Sequence, residues 1–207
     1  MDLNSLIQIG VITTTPLELV AVLFGLFSVW SMKNESILAF PFGIINVLGY
    51  VYIFYVKELY ALSSINLFFA LMSVYGWINW SRKKEDQQAV NISKCSRNEV
   101  LLNIAVFLFS FVILRVLLKK YTDSPIPTWD AITTAFYIVA MWLLAIKKIE
   151  NWIAWIMGDF ISIFLCAIPY TKNQVNYFSS LQFLIFTIIA VFGYMEWRKK
   201  YYREINV

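Results

Sequence analysis

The sequence has no histidine and few charged residues, and both shortages narrow what the protein can be. Of its 207 residues, only 14% are charged. A chain with so little charge lacks the composition of a soluble domain of this size. The absence of histidine excludes metal sites and acid–base sites that depend on an imidazole side chain.

Cysteine is scarce as well, and its two copies lie in different surroundings. Cys95 falls in a polar stretch and Cys166 in an apolar one. We therefore predict neither a disulfide nor a thiolate metal site, and we expect no cofactor. The net charge of +4 is modest. Because the basic residues lie mainly in loops, we interpret them as topology signals and predict no nucleic-acid partner.

Apolar and aromatic residues are what the chain has in abundance. They account for 60% and 18% of the sequence, and there are 8 tryptophans and 12 tyrosines. Tryptophan and tyrosine gather at membrane interfaces, and their rings also line polar cavities. Long apolar runs recur seven times between short polar turns. The sequence therefore predicts an all-α integral membrane protein with seven transmembrane helices, in contact with membrane lipid.

A polar loop at residues 81–98 divides the predicted helices into two halves. We expect an extracytoplasmic segment (1–16), a first three-helix bundle (17–80), the cytoplasmic loop (81–98), a linking helix (99–118), a second three-helix bundle (129–197) and a cytoplasmic tail (198–207). Four lysines and arginines fall on the N-terminal side of the membrane and twelve on the other. The positive-inside rule then places the N-terminus outside and the C-terminus in the cytoplasm.

The two halves resemble each other in sequence. Residues 75–83 and 192–200 match at a shift of 117, and Asn46 matches Asp159 at a shift of 113. We interpret the ordered matches as a duplication, with Asn46 and Asp159 forming one site from two duplicated helices. Three helices, one linking helix and three helices form a parallel repeat, which places a solute site between the halves near the bilayer midplane.

The sixth apolar run, residues 150–170, carries a carboxylate near its middle. An acid at that depth costs about 2.5–3.5 kcal/mol, so it is tolerated mainly where it faces a bundle interior or a wet cavity. Trp152, Trp155 and Asp159 fall within about 60° on a helix and share a face. Two aromatic planes beside an acid suit a flat cationic solute. Alternatively, the tryptophans are interfacial residues and Asp159 bonds a neighbouring helix.

Four further polar residues are candidates for the same cavity. They are Asn46, Asn66, Tyr137 and Gln182, which fall at similar depths in the two halves. Amide and hydroxyl side chains also join helices inside membranes, so the alternative is that they are interhelical hydrogen-bond partners.

The pattern of Trp152, Trp155 and Asp159, with the closing segment at 193–199, resembles the PnuC family of bacterial vitamin transporters. The resemblance covers about residues 17–200. It implies a fold similar to the SWEET sugar transporters, a homotrimer in the inner membrane, and facilitated diffusion of a vitamin that a cytoplasmic kinase then traps by phosphorylation. It also assigns substrate contact to the three helix-six residues.

The resemblance and the acid together favour a cationic vitamin, and nicotinamide riboside is the leading expectation. Thiamine is the alternative, because importers of nicotinamide riboside are expected to carry an amide where this chain has Asp159. Riboflavin is neutral and bulkier and suits the site less. An integral membrane enzyme is a remote alternative, since neither a cysteine cluster nor a carboxylate pair on one helix face is evident. A membrane sensor is a further alternative, although the longest loop is too short for a signalling domain.

Overall fold

A computed structural model describes residues 7–9, 12–56, 60–82, 91–122, 124–167 and 177–205. Seven helices occupy most of these residues, after a short hairpin of β1 (Ile7–Ile9) and β2 (Ile12–Thr14). The helices are α1 (Pro16–Lys33), α2 (Ala39–Val56), α3 (Tyr60–Ser81), α4 (Arg97–Tyr121), α5 (Pro127–Ala145), α6 (Asn151–Ala167) and α7 (Tyr177–Ile205). The helical prediction is confirmed, whereas the antiparallel hairpin was not predicted.

Six of the described helices are long and apolar enough to cross a membrane, and α6 is shorter. With 17 residues it rises about 25 Å, against the roughly 30 Å of a hydrocarbon core. The predicted run continued to residue 170, but residues 168–170 lie outside the described part of the chain. Asp159 remains at the centre of the described helix. The chain is a multi-pass membrane protein.

The chain divides into two compact units, Met1–Ser81 and Arg82–Val207. In the first unit, α1 packs on α2 and α2 on α3. In the second, α4, α5, α6 and α7 pack in chain order, each on the next. The predicted three-plus-one-plus-three arrangement, the cytoplasmic placement of the 81–98 loop and the two-sided membrane topology stay predictions.

Local sequence explains where several helices begin. Thr15 accepts a hydrogen bond from the backbone N–H of Glu18, and Pro16 occupies the first turn of α1, where its missing N–H costs nothing. Ser96 and Glu99 form a reciprocal capping box at the start of α4. Such caps satisfy backbone donors that the helices themselves leave unpaired.

The residues before α4 are tied to the turn between α5 and α6, and we call this set of contacts the linker clasp. The backbone of Ser93 bonds the turn on both sides, at 3.1 Å to Lys147 O and 3.0 Å from Ile149 N. Lys148 Nζ lies 2.8 Å from Glu99 Oε1. Glu150 accepts a bond from the backbone N–H of Cys95 at 3.1 Å. The clasp therefore fixes the α5–α6 turn to the start of α4.

The turns between the first two helices of each bundle have the same geometry. Glu35 and Lys147 both adopt positive φ, 57° and 56°. Each donates its backbone N–H to the carbonyl three residues earlier, Met32 or Leu144, at 3.0 Å. The backbone N–H of the following residue, Ser36 or Lys148, bonds the carbonyl five residues back at 2.9 Å in both turns. This is the Schellman arrangement, and its two copies lie 112 residues apart.

An aromatic pair over a glycine joins the second and third helices of the first bundle. The rings of Phe40 and Trp80 meet edge to face, with centroids 4.9 Å apart. A Cβ added at Gly76 would collide with the Phe40 ring. The absence of a side chain at Gly76 therefore lets the ring of Phe40 lie directly on α3.

The second bundle repeats this lock with a larger ring on α6. Trp152 and Trp197 meet edge to face at 5.5 Å, and a Cβ at Gly193 would lie 2.7 Å from the Trp152 ring. These residues lie 112 and 117 positions after their counterparts in α2 and α3. Serine-to-carbonyl bonds between the same helices follow the same shifts, Ser63 to Val51 at 3.0 Å and Ser180 to Ile163 at 3.2 Å. These matching contacts support the predicted duplication.

The same contacts correct the predicted pairing of Asn46 with Asp159. The shift from α2 to α6 is 112 throughout the matched contacts, so Gly158 is the counterpart of Asn46. The shift of 113 was wrong by one residue, which is about 100° around a helix. Asp159 instead corresponds to Val47 of the first bundle. The carboxylate therefore has an apolar residue at its equivalent position.

Candidate solute-binding site

Asp159 is buried between α5 and α6 and is held by two hydroxyl groups in series. The Tyr137 hydroxyl lies 3.0 Å from Asp159 Oδ1 and 2.8 Å from Ser162 Oγ. Asp159 is 4% exposed and Ser162 6%. Among the described residues, no lysine or arginine forms an ion pair with Asp159. The carboxylate therefore has hydrogen-bond support from Tyr137 but no described cationic side chain beside it.

A glycine permits this arrangement. A Cβ at Gly158 would lie 2.5 Å from Cε1 of Tyr137, so a side chain there would force the phenol ring to move. At the equivalent crossing in the first bundle, the small and the large side chain are exchanged between the two helices. There Gly25 on α1 faces Asn46 on α2, whose Nδ2 would lie 2.8 Å from a Cβ at Gly25. The bulky side chain thus comes from α5 in the second bundle and from α2 in the first.

The two predicted cage tryptophans have different surroundings. Trp155 lies beside Tyr137, with ring centroids 5.4 Å apart and 35° between the planes. It also packs on an apolar cluster of Val139, Ala140, Leu143 and Ala154. Trp152 is 1% exposed and lies against Gly193 and Trp197 on α7. The structure thus brings Trp155, Tyr137 and Asp159 together and gives Trp152 a packing contact with α7.

The remaining predicted site residues make contacts of other kinds. Asn46 Nδ2 donates to the carbonyl of Ala21 at 2.7 Å, which joins α2 to α1. Asn66 Nδ2 donates to the carbonyl of Leu62 in its own helix at 2.8 Å. Gln182 is half-buried on α7. These contacts fit the alternative of interhelical and intrahelical bonding, and substrate contact by these residues stays a prediction.

Sequence reasoning missed two residues of this cluster, Gly158 and Ser162. Ser162 lies three positions after Asp159, and its angle on the helix falls within about 60° of both Asp159 and Trp155. The spacing alone could have placed it on the shared face. Gly158 gave no comparable signal, because only the partner ring on α5 reveals why a side chain is excluded there.

Comparison with known proteins identifies the family. Residues 15–199 match the family model described as nicotinamide mononucleotide transporter. The chain belongs to this family, which is the family of the PnuC transporters predicted above. It is 28% identical to the nicotinamide riboside transporter PnuC of Escherichia coli strain K12, over 87% of this chain and 84% of that protein.

More distant relatives agree on a membrane transporter. The nicotinamide riboside transporter PnuC of Neisseria mucosa is 26% identical, with 87% of this chain and 71% of that protein aligned. The riboflavin/roseoflavin transporter RibM of Streptomyces davaonensis is also 26% identical, over 61% of this chain and 58% of that protein. The crystal structure of the vitamin B3 transporter PnuC superposes with a TM-score of 0.71 at 24% identity, covering 90% of this chain and 82% of that one. The fold is therefore that of a PnuC transporter.

Proposed function

We propose that this protein imports nicotinamide riboside across the bacterial inner membrane by facilitated diffusion. The observation that carries the proposal is the buried Asp159, which is bonded by the hydroxyl of the Tyr137–Trp155 ring pair and has no described cationic side chain paired with it. A cationic pyridinium ring gains from both, because ring faces attract cations and a carboxylate in a low-dielectric site attracts them further. Family membership supports the choice of vitamin.

The same observation favours thiamine as a second candidate. Its thiazolium ring is also cationic and aromatic, and the carboxylate at position 159 replaces the amide that the resemblance favours for nicotinamide riboside importers. Riboflavin has no positive charge for Asp159 to attract. The three vitamins are therefore expected to differ most in how strongly Asp159 attracts them.

Thermal stabilisation of the purified protein by each vitamin tests the proposal. A ligand that binds only the folded protein raises its apparent stability, so the true solute should give the largest shift. Asp159→Asn should weaken binding of the cation while leaving the folded protein intact. No shift with any of the three vitamins would overturn the proposal, and unchanged affinity in the variant would remove Asp159 from the site.

The proposal includes a transport cycle and an assembly. The protein would form a homotrimer with its N-terminus outside, carry the solute chemically unchanged, and rely on a cytoplasmic kinase for trapping. In proteoliposomes the vitamin should equilibrate without any ion gradient, and it should accumulate only when the kinase and ATP are enclosed. Accumulation driven by an imposed proton or sodium gradient alone would contradict facilitated diffusion. Recovery of a chemically altered solute would instead indicate an enzyme.

A further inference from the structure

The linker clasp holds more than the α5–α6 turn, because Lys94 extends it to the end of α7. Lys94 Nζ donates to the Tyr202 hydroxyl at 2.7 Å. It also lies 4.5 Å from the centre of the Tyr202 ring and 5.2 Å from that of Tyr201, within reach of cation–π attraction. The carbonyl of the same lysine accepts a bond from Lys148 Nζ at 3.2 Å. Residues 93–99 therefore connect the start of α4 to the α5–α6 turn and to the end of α7.

Two further contacts attach α4 along its length. In its middle, the ring centroids of Phe107 and Phe136 lie 4.6 Å apart, and Phe107 also packs on the apolar cluster that α5 and α6 share. Near its other end, Arg115 Nε donates to Thr128 Oγ1 at 3.1 Å. From Glu99 to Arg115 the helix rises about 24 Å. The second unit thus holds α4 at both ends and in the middle.

A helix held at three levels cannot stay behind when its neighbours tilt. A tilt of about 15°, the size of a known subunit rotation, would displace contacts about 12 Å from the pivot by about 3 Å. A displacement of that size breaks a hydrogen bond. We propose that α4 moves with α5, α6 and α7 as one four-helix body during transport, with the linker clasp fixing it there. The predicted linking helix is then a fourth member of the second bundle.

The inference rests on the proposed function for the transport cycle, but the attachment of α4 does not need a solute. Spin labels on the exposed positions Leu101 of α4 and Met195 of α7 report the distance between these helices by pulsed electron resonance. They are placed in a Cys95→Ser, Cys166→Ser background and diluted with unlabelled protein. We expect one narrow distance distribution without any vitamin. A broad or two-peaked distribution would overturn the inference.

A matched pair of variants at Ser93 tests the clasp itself. Ser93→Pro removes the backbone N–H that donates to Lys147 O, whereas Ser93→Ala keeps it. The proline should widen the distance distribution between the two labels, and the alanine should leave it as it is. A distribution unchanged by Ser93→Pro would show that the clasp does not fix α4, which would contradict the proposal.

A reversible crosslink tests the motion. In the same cysteine-free background, Phe107→Cys and Phe136→Cys are joined by a short bifunctional methanethiosulfonate, which ties α4 to α5 until a reductant releases it. If α4 travels with α5, vitamin uptake into proteoliposomes should be the same before and after reduction. Uptake that is blocked by the crosslink and restored by the reductant would overturn the inference. If the uncrosslinked protein takes up none of the three vitamins, the proposed function fails, and the label distances alone decide whether α4 is fixed to α7.

Discussion

The two bundles share a scaffold and differ at one crossing. Both have the same positive-φ turn, the same aromatic lock over a glycine and the same serine-to-carbonyl bond. Where the first two helices cross, however, the first bundle has Gly25 against Asn46 and the second has Tyr137 against Gly158. Among the described residues, only the second bundle adds a carboxylate at this crossing. The difference fits the predicted duplication if packing was kept in both copies and the chemistry of the proposed site belongs to one of them.

The aromatic locks give the largest expected effect, because their glycines have no room for a methyl group. Gly193→Ala would place a Cβ 2.7 Å from the buried indole of Trp152, and overpacking of this kind costs about 1–3 kcal/mol. We expect a marked loss of apparent thermal stability in detergent, and a comparable loss for Gly76→Ala. If one glycine tolerated alanine while the other did not, the two aromatic locks would not be equivalent.

A second substitution checks the cause of that loss. The atoms of Trp152 nearest Gly193 belong to the six-membered part of its indole. Trp152→Phe shortens the side chain towards the phenylalanine that the first bundle has at Phe40. In the Gly193→Ala background it should recover part of the stability. If Trp152→Phe instead adds its own loss in full, the alanine does not act through the ring.

The crossing itself should separate affinity from stability. Gly158→Ala would displace the Tyr137 ring and disturb its bond to Asp159, so solute affinity should fall about tenfold, the equivalent of one lost hydrogen bond. The matched control is Gly25→Ala, where the nearest atom is Nδ2 of Asn46, which bonds the Ala21 carbonyl. That control should leave affinity unchanged. Equal losses of affinity in both variants would show that the site is not confined to the second bundle.

Much of the similarity between the two bundles could be predicted from the sequence. The features that could not be predicted were missed for physical reasons. Apolar runs and basic clusters predicted all seven helices, because burial of backbone polar groups leaves a membrane chain few alternatives to helices. The duplication was visible in matching segments. The correct alignment, of Asn46 with Gly158, was not visible, since a one-residue error changes which face a residue occupies and only contacts between helices can detect it. The role of Trp152 against α7 was hidden for the same reason.

The linker clasp distinguishes the two otherwise similar turns. Lys148 of the second turn binds Glu99, whereas its counterpart in the first turn is Ser36. Burial and the neighbouring Glu150 carboxylate raise the pKa of the Cys95 thiol to about 12, so little reactive thiolate is present at pH 8. Lys148→Met should loosen the clasp and accelerate alkylation of Cys95 by exposing the thiol, although the lysine charge itself lowers the thiol pKa, so that its loss acts in the opposite direction.

This prediction is measured in a Cys166→Ser background, so that a single thiol reacts. The ion pair is partly exposed, with side-chain exposures of 13% and 39%, so we expect an effect of about 1 kcal/mol or less on clasp opening, roughly severalfold in alkylation rate. Ser36→Ala should leave the rate unchanged. An alkylation rate unaffected by Lys148→Met would mean that the backbone bonds of Ser93 hold the clasp by themselves.

The smallest effect is expected at the positive-φ residues, and it should be favourable. Glu35 and Lys147 adopt a conformation that glycine accepts without strain, and the penalty for another residue is about 1 kcal/mol. Glu35→Gly should therefore raise apparent thermal stability slightly. Lys147→Gly should gain less, because that side chain is only 6% exposed and its packing is removed together with the strain. An equal gain in both would indicate that the buried lysine stem contributes nothing to the second turn, and a loss at Glu35 would indicate that its side chain stabilises the first.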